Sequence, residues 1–151
     1  MTGPSLDHAD RSIIRELQVE GRMPYSQLAP KVGLSEAATR QRVNRLVDNG
    51  VVQIVAVTDP AALGMGFQAM VGISVDGDVT STAEALAEMT QVEYVVITTG
   101  RYDILAEVVC ADADDLLTVV HGQIRSSPGI RSTEIFGYLR LVKQSYSWGT
   151  A

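Results

Sequence analysis

The stretch Val32–Gly50, VGLSEAATRQRVNRLVDNG, decides how this chain is to be read. Gly33 breaks whatever precedes it, Leu34 points inward, and Ser35 is a hydroxyl residue suited to cap a new helix. That helix runs to about Asn49–Gly50. Three arginines, Arg40, Arg42 and Arg45, fall within six residues of a chain whose formal net charge is -6. With Val43 taken as the core direction and about 100° per residue, Thr39, Leu46 and Val47 fall within roughly 60° of it and should face inward. Ala37, Ala38, Gln41, Arg45 and Asp48 then lie on the opposite side, with Arg42 and Asn44 on its shoulders. Arg40 becomes a flank residue.

The charge is unevenly spread. Residues 1–59 carry seven basic and seven acidic side chains, whereas residues 60–151 carry five and eleven, so the second half holds the entire excess. The first half can therefore still present a basic face to a polyanion. The length of 151 residues and a hydrophobic content of 46% suffice for one good core or two small ones. A single Cys110 excludes an internal disulfide and fits a reducing cytosol. With two scattered histidines it leaves no usual zinc set, and no other cofactor is implied. No apolar run approaches the ~20 residues of a membrane span, and MTGPSLDHAD does not read as a signal peptide, so a cytoplasmic protein is expected.

Before this stretch, LDHADRSIIRELQVEG places Leu6, Ala9, Ile13, Ile14 and Leu17 at helical spacing, with Asp7 as a cap and Asp10 favouring the same dipole end. A short helix over about Ser26–Val32 follows; Pro30 is tolerable there only if the helix begins late. Beyond Gly50, VVQIVAVTDP reads as a strand leaving the helical part. The rest gives a strand FQAMVGISV, a helix near Thr82–Met89, strands VEYVVITT and DILAEVVC, a helix DADDLLTVVHGQIRSS capped by Asp112, and a long last strand IRSTEIFGYLRLV. The order β-α-β-β-α-β is the ferredoxin-like split arrangement. The fold class is α+β, with a helix-turn-helix domain at 1–52, a strand and linker at 53–66, and a sandwich at 67–151.

Three helices with a tight Gly-Leu-Ser turn suit a helix-turn-helix, in which the third helix enters a major groove. Gln41 can pair with an adenine edge, and Arg45 can pair with guanine or grip a phosphate. Asn44 and Arg42 flank them, Ala37 and Ala38 are small enough for thymine methyl contact, and Ser35 with the helix N-terminus can meet a phosphate. Equally, three helices can be only a bundle, and exposed arginines are commonly just solvated.

LDHADRSIIRELQVEGRMPYSQLAPKVGLSEAATRQRVNRLVDNGVV resembles the opening of the Lrp/AsnC (feast/famine) transcription regulators. Matching positions include Asp7, Asp10, Arg11, Leu28, Gly33, Ser35, Arg42, Val43, Arg45 and Gly50. Later, TTGRYDIL resembles that family's Gly-x-Tyr/Phe-Asp hairpin, and SPGIRST its Pro-Gly-Val-x-x-Thr approach to the last strand. The resemblance implies an N-terminal helix-turn-helix, winged-helix-like domain and a C-terminal ligand-sensing (RAM) domain. It implies double-stranded DNA and an amino acid effector as partners, and a homodimer assembling into tetramers to octamers. Arg101 stands where the family usually carries an acidic or amide residue, and Ile135 where it carries a second hydroxyl.

A zwitterionic amino acid needs donors for its carboxylate and an acceptor for its ammonium. Gly100 can turn backbone N–H groups toward an anion, Asp103 can receive the ammonium, Thr133 can add a hydroxyl, and Arg101 beside Tyr102 can pair with a carboxylate. Alternatively, Gly100 only closes a tight turn and Asp103 caps a strand. The expected function is a sequence-specific DNA-binding regulator modulated by an amino acid, and not an enzyme. The competing readings are an effector-binding oligomeric module, or a ferredoxin-like enzyme, without DNA binding.

Overall fold

The computed structural model describes residues 5–146, which form two compact units. One spans 5–57 together with 143–146; the other spans Thr58–Val142.

The first unit contains α1 (His8–Val19), α2 (Tyr25–Lys31) and α3 (Glu36–Asp48). Asp7 caps α1 in a reciprocal box: Asp10 N–H donates to Asp7 Oδ1 at 2.8 Å, and Asp7 N–H donates to Asp10 Oδ2 at 3.3 Å. Ser35 caps α3, its Oγ accepting from Ala38 N–H at 3.2 Å. Gly33 makes the preceding turn with φ +68°, a left-handed conformation that a side chain resists. The core is small: Ile13, Leu17, Met23, Leu28, Val43 and Leu46 are buried together.

Three expectations change here. First, α2 does not begin late; it starts at Tyr25 and holds Pro30 in its last turn. Pro30 faces solvent, where water can serve the Ser26 carbonyl that lost its donor. Second, Val47 is 42% exposed, while Thr39, Val43 and Leu46 are buried. The mean direction of those three is rotated about 33° from Val43 toward Arg42, which carries Val47 and Arg40 outward and Arg42 inward. Third, residues 51–58 form no strand. Val51 and Val52 N–H both donate to the Leu46 carbonyl, finishing α3, and the β-branched residues after them find no ladder partner. β-propensity describes a fit to a neighbouring strand and does little without one.

The second unit holds β1 (Phe67–Val75), α4 (Val79–Ala87), β2 (Val92–Ile97), β3 (Ile104–Cys110), α5 (Ala113–Leu117), a π-helical segment (Thr118–Ile124) and β4 (Ile130–Gly137). The sheet order is β2-β3-β1-β4, with every neighbouring pair antiparallel. Ala69, Val71 and Ile73 of β1, with Ile104, Ala106, Val108 and Cys110 of β3, pack beneath Leu86, Leu116, Val119, Val120 and Ile124. This is the expected ferredoxin-like sandwich. The element ends differ: α4 begins earlier because Asp78 caps it through Thr80 N–H at 2.9 Å, and β4 stops at Gly137. The expected single helix after Asp112 widens into the π segment, where Arg125 N–H reaches back five residues to the Val120 carbonyl. That wider turn keeps Val119 and Ile124, five apart and both fully buried, on one face.

Candidate nucleic-acid interface

On α3 the exposed face carries Glu36, Ala37, Arg40, Gln41 and Asn44, which line one shallow concavity. Gln41 and Ala37 lie on it, as the spacing predicts, and Asn44, expected on a shoulder, lines it too. Arg40, expected at the flank, also lines this face. It rests against Glu36 at 3.4 Å and over the Tyr25 ring at 5.3 Å. Ala38 is half-buried at the rim, and Ser35 Oγ, although accepting from Ala38, keeps its own proton for another acceptor.

Arg42 and Arg45 are turned elsewhere. Arg42 Nη1 donates to Asp7 Oδ2 at 2.7 Å and to Asp10 Oδ1 at 2.8 Å. Arg45 Nη2 donates to both oxygens of Asp10 at 2.8 Å. Asp10 is 1% exposed. Its roughly four acceptor sites are filled by Arg42, by Arg45 twice, and by the Asp7 N–H. The cluster ties the start of α1 to the middle of α3.

Asp10 escaped the sequence reading as an anchor, yet a signal was present. It sits three residues before Ile13 and seven before Leu17, on the stripe that faces the core. An acid buried there needs cations, and α3 supplies them. Its neighbour Asp7 has its carboxyl held below the usual aspartate range, first by the Asp10 backbone hydrogen bond and next by Arg42. A depressed pKa contributes stability above the unfolded-state value, lost as pH falls through the folded one. Asp7→Asn should therefore lower the melting temperature at neutral pH, with the gap to the parent closing in acid. A gap independent of pH would contradict this arm of the cluster.

In the sandwich, the β2–β3 hairpin turns at Gly100, φ +121°. Thr98 Oγ1 donates to the Tyr102 carbonyl at 2.6 Å, and Asp103 N–H donates to the Ile73 carbonyl at 2.9 Å. Asp103 Oδ2 accepts the Val75 N–H at 2.8 Å, so this carboxylate also secures β1. Arg101 pairs with Glu134 of β4 at 3.3 Å and lies over the Tyr102 ring at 5.3 Å. Gly100, Arg101, Tyr102 and Asp103 are thus together. Thr133 lies on β4 opposite Ile73, with β1 between its backbone and β3, and is next in sequence to the Glu134 that Arg101 reaches. Tyr102 packs on Gly72 with its hydroxyl buried and unpartnered among the described residues. Burial, then Asp115 and Asp112, push the Cys110 thiol up, as befits an inert core residue. Among the described residues no acidic, histidine and cysteine group could hold a metal, and no helix is long and apolar enough to cross a membrane.

An AsnC-type helix-turn-helix domain matches residues 6–47, and a C-terminal dimeric alpha+beta barrel domain matches residues 67–151. An HTH-type transcriptional regulator of Pyrococcus abyssi is 35% identical over 148 residues, covering 97% of this chain and 91% of the relative. The chain belongs to the AsnC/Lrp family of transcriptional regulators. The regulator AldR of Mycobacterium tuberculosis is 32% identical over 143 residues, 89% of this chain and 80% of AldR. Among solved structures, a Neisseria meningitidis transcriptional regulator in complex with L-Met superposes with TM-score 0.86 at 26% identity, covering 96% of this chain and 97% of that one. E. coli AsnC gives 0.84 at 26% identity, covering 95% and 99%. The AsnC/Lrp family is regulatory, so enzyme chemistry is not this chain's class.

Proposed function

We propose that this AsnC/Lrp regulator reads a specific duplex sequence with α3 and adjusts that binding to a free amino acid held at the β2–β3 hairpin. The exposed face of α3 carries the first half of the proposal. Gln41 and Asn44 offer paired donors and acceptors to base edges, Ala37 and Ala38 allow close approach, and Ser35 with the α3 N-terminus suits a phosphate. Support for the second half comes from the hairpin, where the N–H groups around Gly100 lie beyond the strand ladder beside Arg101, Tyr102 and Asp103. The relative solved with L-Met adds to it. Dimerisation would use the sheet face away from the helices, where Tyr94 and Phe136 stay 52% and 44% exposed, and larger rings would build on that dimer.

Selection from a randomised duplex library tests the DNA half: an enriched sequence should be retained, with affinity falling steeply as salt rises. No retention of any duplex at low salt would refute it. A thermal-shift panel of the twenty amino acids tests the sensor. A ligand at 100-fold its dissociation constant adds about 2.7 kcal/mol, a shift of many degrees. Asp103→Asn, which keeps an acceptor for Val75 N–H, should abolish that shift without unfolding the sandwich. A flat panel would sink the amino acid half and leave the DNA half standing.

A further inference from the structure

Resting on the DNA-binding reading above, we infer that Asp10 is a positioning residue which withdraws Arg42 and Arg45 from DNA, leaving selectivity to Ala37, Gln41 and Asn44 and phosphate contact on that face to Arg40. Charge balance is the first ground. Asp7 and Asp10 carry two negative charges against the two positive charges of Arg42 and Arg45, so the cluster offers a polyanion no net attraction. Geometry is the second. Both guanidiniums are drawn to the α1 side of α3, and Arg42 has only 28% of its side chain exposed. Measured from the mean direction of Thr39, Val43 and Leu46, Gln41, Ala37 and Asn44 lie about 130–170° away and Arg42 only about 65° away. Arg45, at about 125° and with its side chain 53% exposed, is held back by its two hydrogen bonds to Asp10 and not by its place on the helix.

Arg40 is the exception among the three arginines. Of its partners, Glu36 is exposed and Tyr25 half-buried against the helical core, and its own side chain is 60% exposed. An exposed pair of this kind is held weakly and is readily exchanged for a phosphate. Asp10 then has a double effect. It fixes the rotation of α3 about its own axis, which decides which residues meet the groove, and it sets how much non-specific attraction that groove face exerts.

The test uses the full-length protein with two duplexes: one enriched from a randomised library by the parent, and a scrambled version of equal length. Arg40→Ala should weaken both about tenfold and reduce the salt slope by about one counterion. Gln41→Ala and Asn44→Ala should weaken only the enriched duplex. Arg45→Gln should lower the melting temperature yet, below it, leave the salt slope unchanged. If Arg45→Gln fails to fold, Arg45→Lys, which keeps a charge beside Asp10, takes its place. Asp10→Asn frees a positive charge next to α3. It should raise affinity for the scrambled duplex severalfold while lowering discrimination, a pair of opposite changes that simple destabilisation would not produce. A fall of about one counterion in the Arg45 variant with an unchanged melting temperature would overturn the inference, as would an Arg40→Ala variant that binds like the parent. Failure of the parent to retain any duplex would instead refute the DNA-binding reading itself.

Discussion

Replacing Leu28 by alanine is expected to unfold the helical unit while the sandwich stays folded. Leu28 is fully buried at the centre of a core of six buried side chains. Truncating such a leucine costs about 2–5 kcal/mol, from the lost transfer of its methyl groups and from the cavity left behind. A unit of about 50 residues has only ~2.5–7.5 kcal/mol of stability in total. The loss therefore approaches the whole margin. The sandwich has its own, larger core, with Val71, Ile73, Ile104, Val119 and Ile124 all fully buried, and Leu28 is not among its members. Urea titration followed by circular dichroism should show the variant losing part of its helical signal at low denaturant, with a later transition close to the parent's. Duplex retention should vanish with the first step. A single transition displaced by less than ~1 kcal/mol, or loss of both units together, would contradict this picture.

Much of the architecture was legible because periodicity and capping agree with each other. The strand Phe67–Val75, the Asp112 cap and the buried set Leu116, Val119, Val120 and Ile124 each appear in the structure, although Gly72 and Ser74 of β1 are buried as well and the last three of that set lie on the π segment. What escaped depends on partners distant in sequence. The run after Gly50 has strand composition, but a strand exists only where another chain segment offers its amides. A single residue, Val43, does not give the core direction of α3, because Thr39, Val43 and Leu46 together set it. The roles of Arg42 and Arg45 hang on an acid more than thirty residues earlier, whose burial the helical spacing hinted at without naming its partners. At the hairpin, Gly100 through Asp103 are consecutive, so their proximity follows from the chain itself. The sequence does not tell that Thr133 lies on the far side of β1, since register is fixed by pairing and not by motif.

Gly72→Val is expected to damage the sandwich more than any other exchange of a single small residue on β1. A Cβ at this position would stand 2.7 Å from Tyr102 Cδ2 and 2.8 Å from Tyr102 Cγ and Cε2. No flexible tip is available to yield, because the contact is with the body of the ring. Nor can the ring retreat easily. It meets Phe136 edge-on with centroids 6.1 Å apart, and its backbone is anchored by the Thr98 hydroxyl at 2.6 Å. β1 lies between β3 and β4, so a shift of its backbone would strain two ladders at once. Overpacking of this kind costs about 1–3 kcal/mol and sometimes more. Relief from the glycine's backbone entropy offsets up to ~1 kcal/mol of it. The decisive comparison is a double-mutant cycle with Tyr102→Ala: where the ring is gone, valine at position 72 should cost little or even stabilise the strand. A penalty that persists in the Tyr102→Ala background would place its origin outside this contact. Because the ring forms part of the hairpin, Gly72→Val should also remove any amino acid-induced thermal shift, tying the packing of β1 to the state of the sensor.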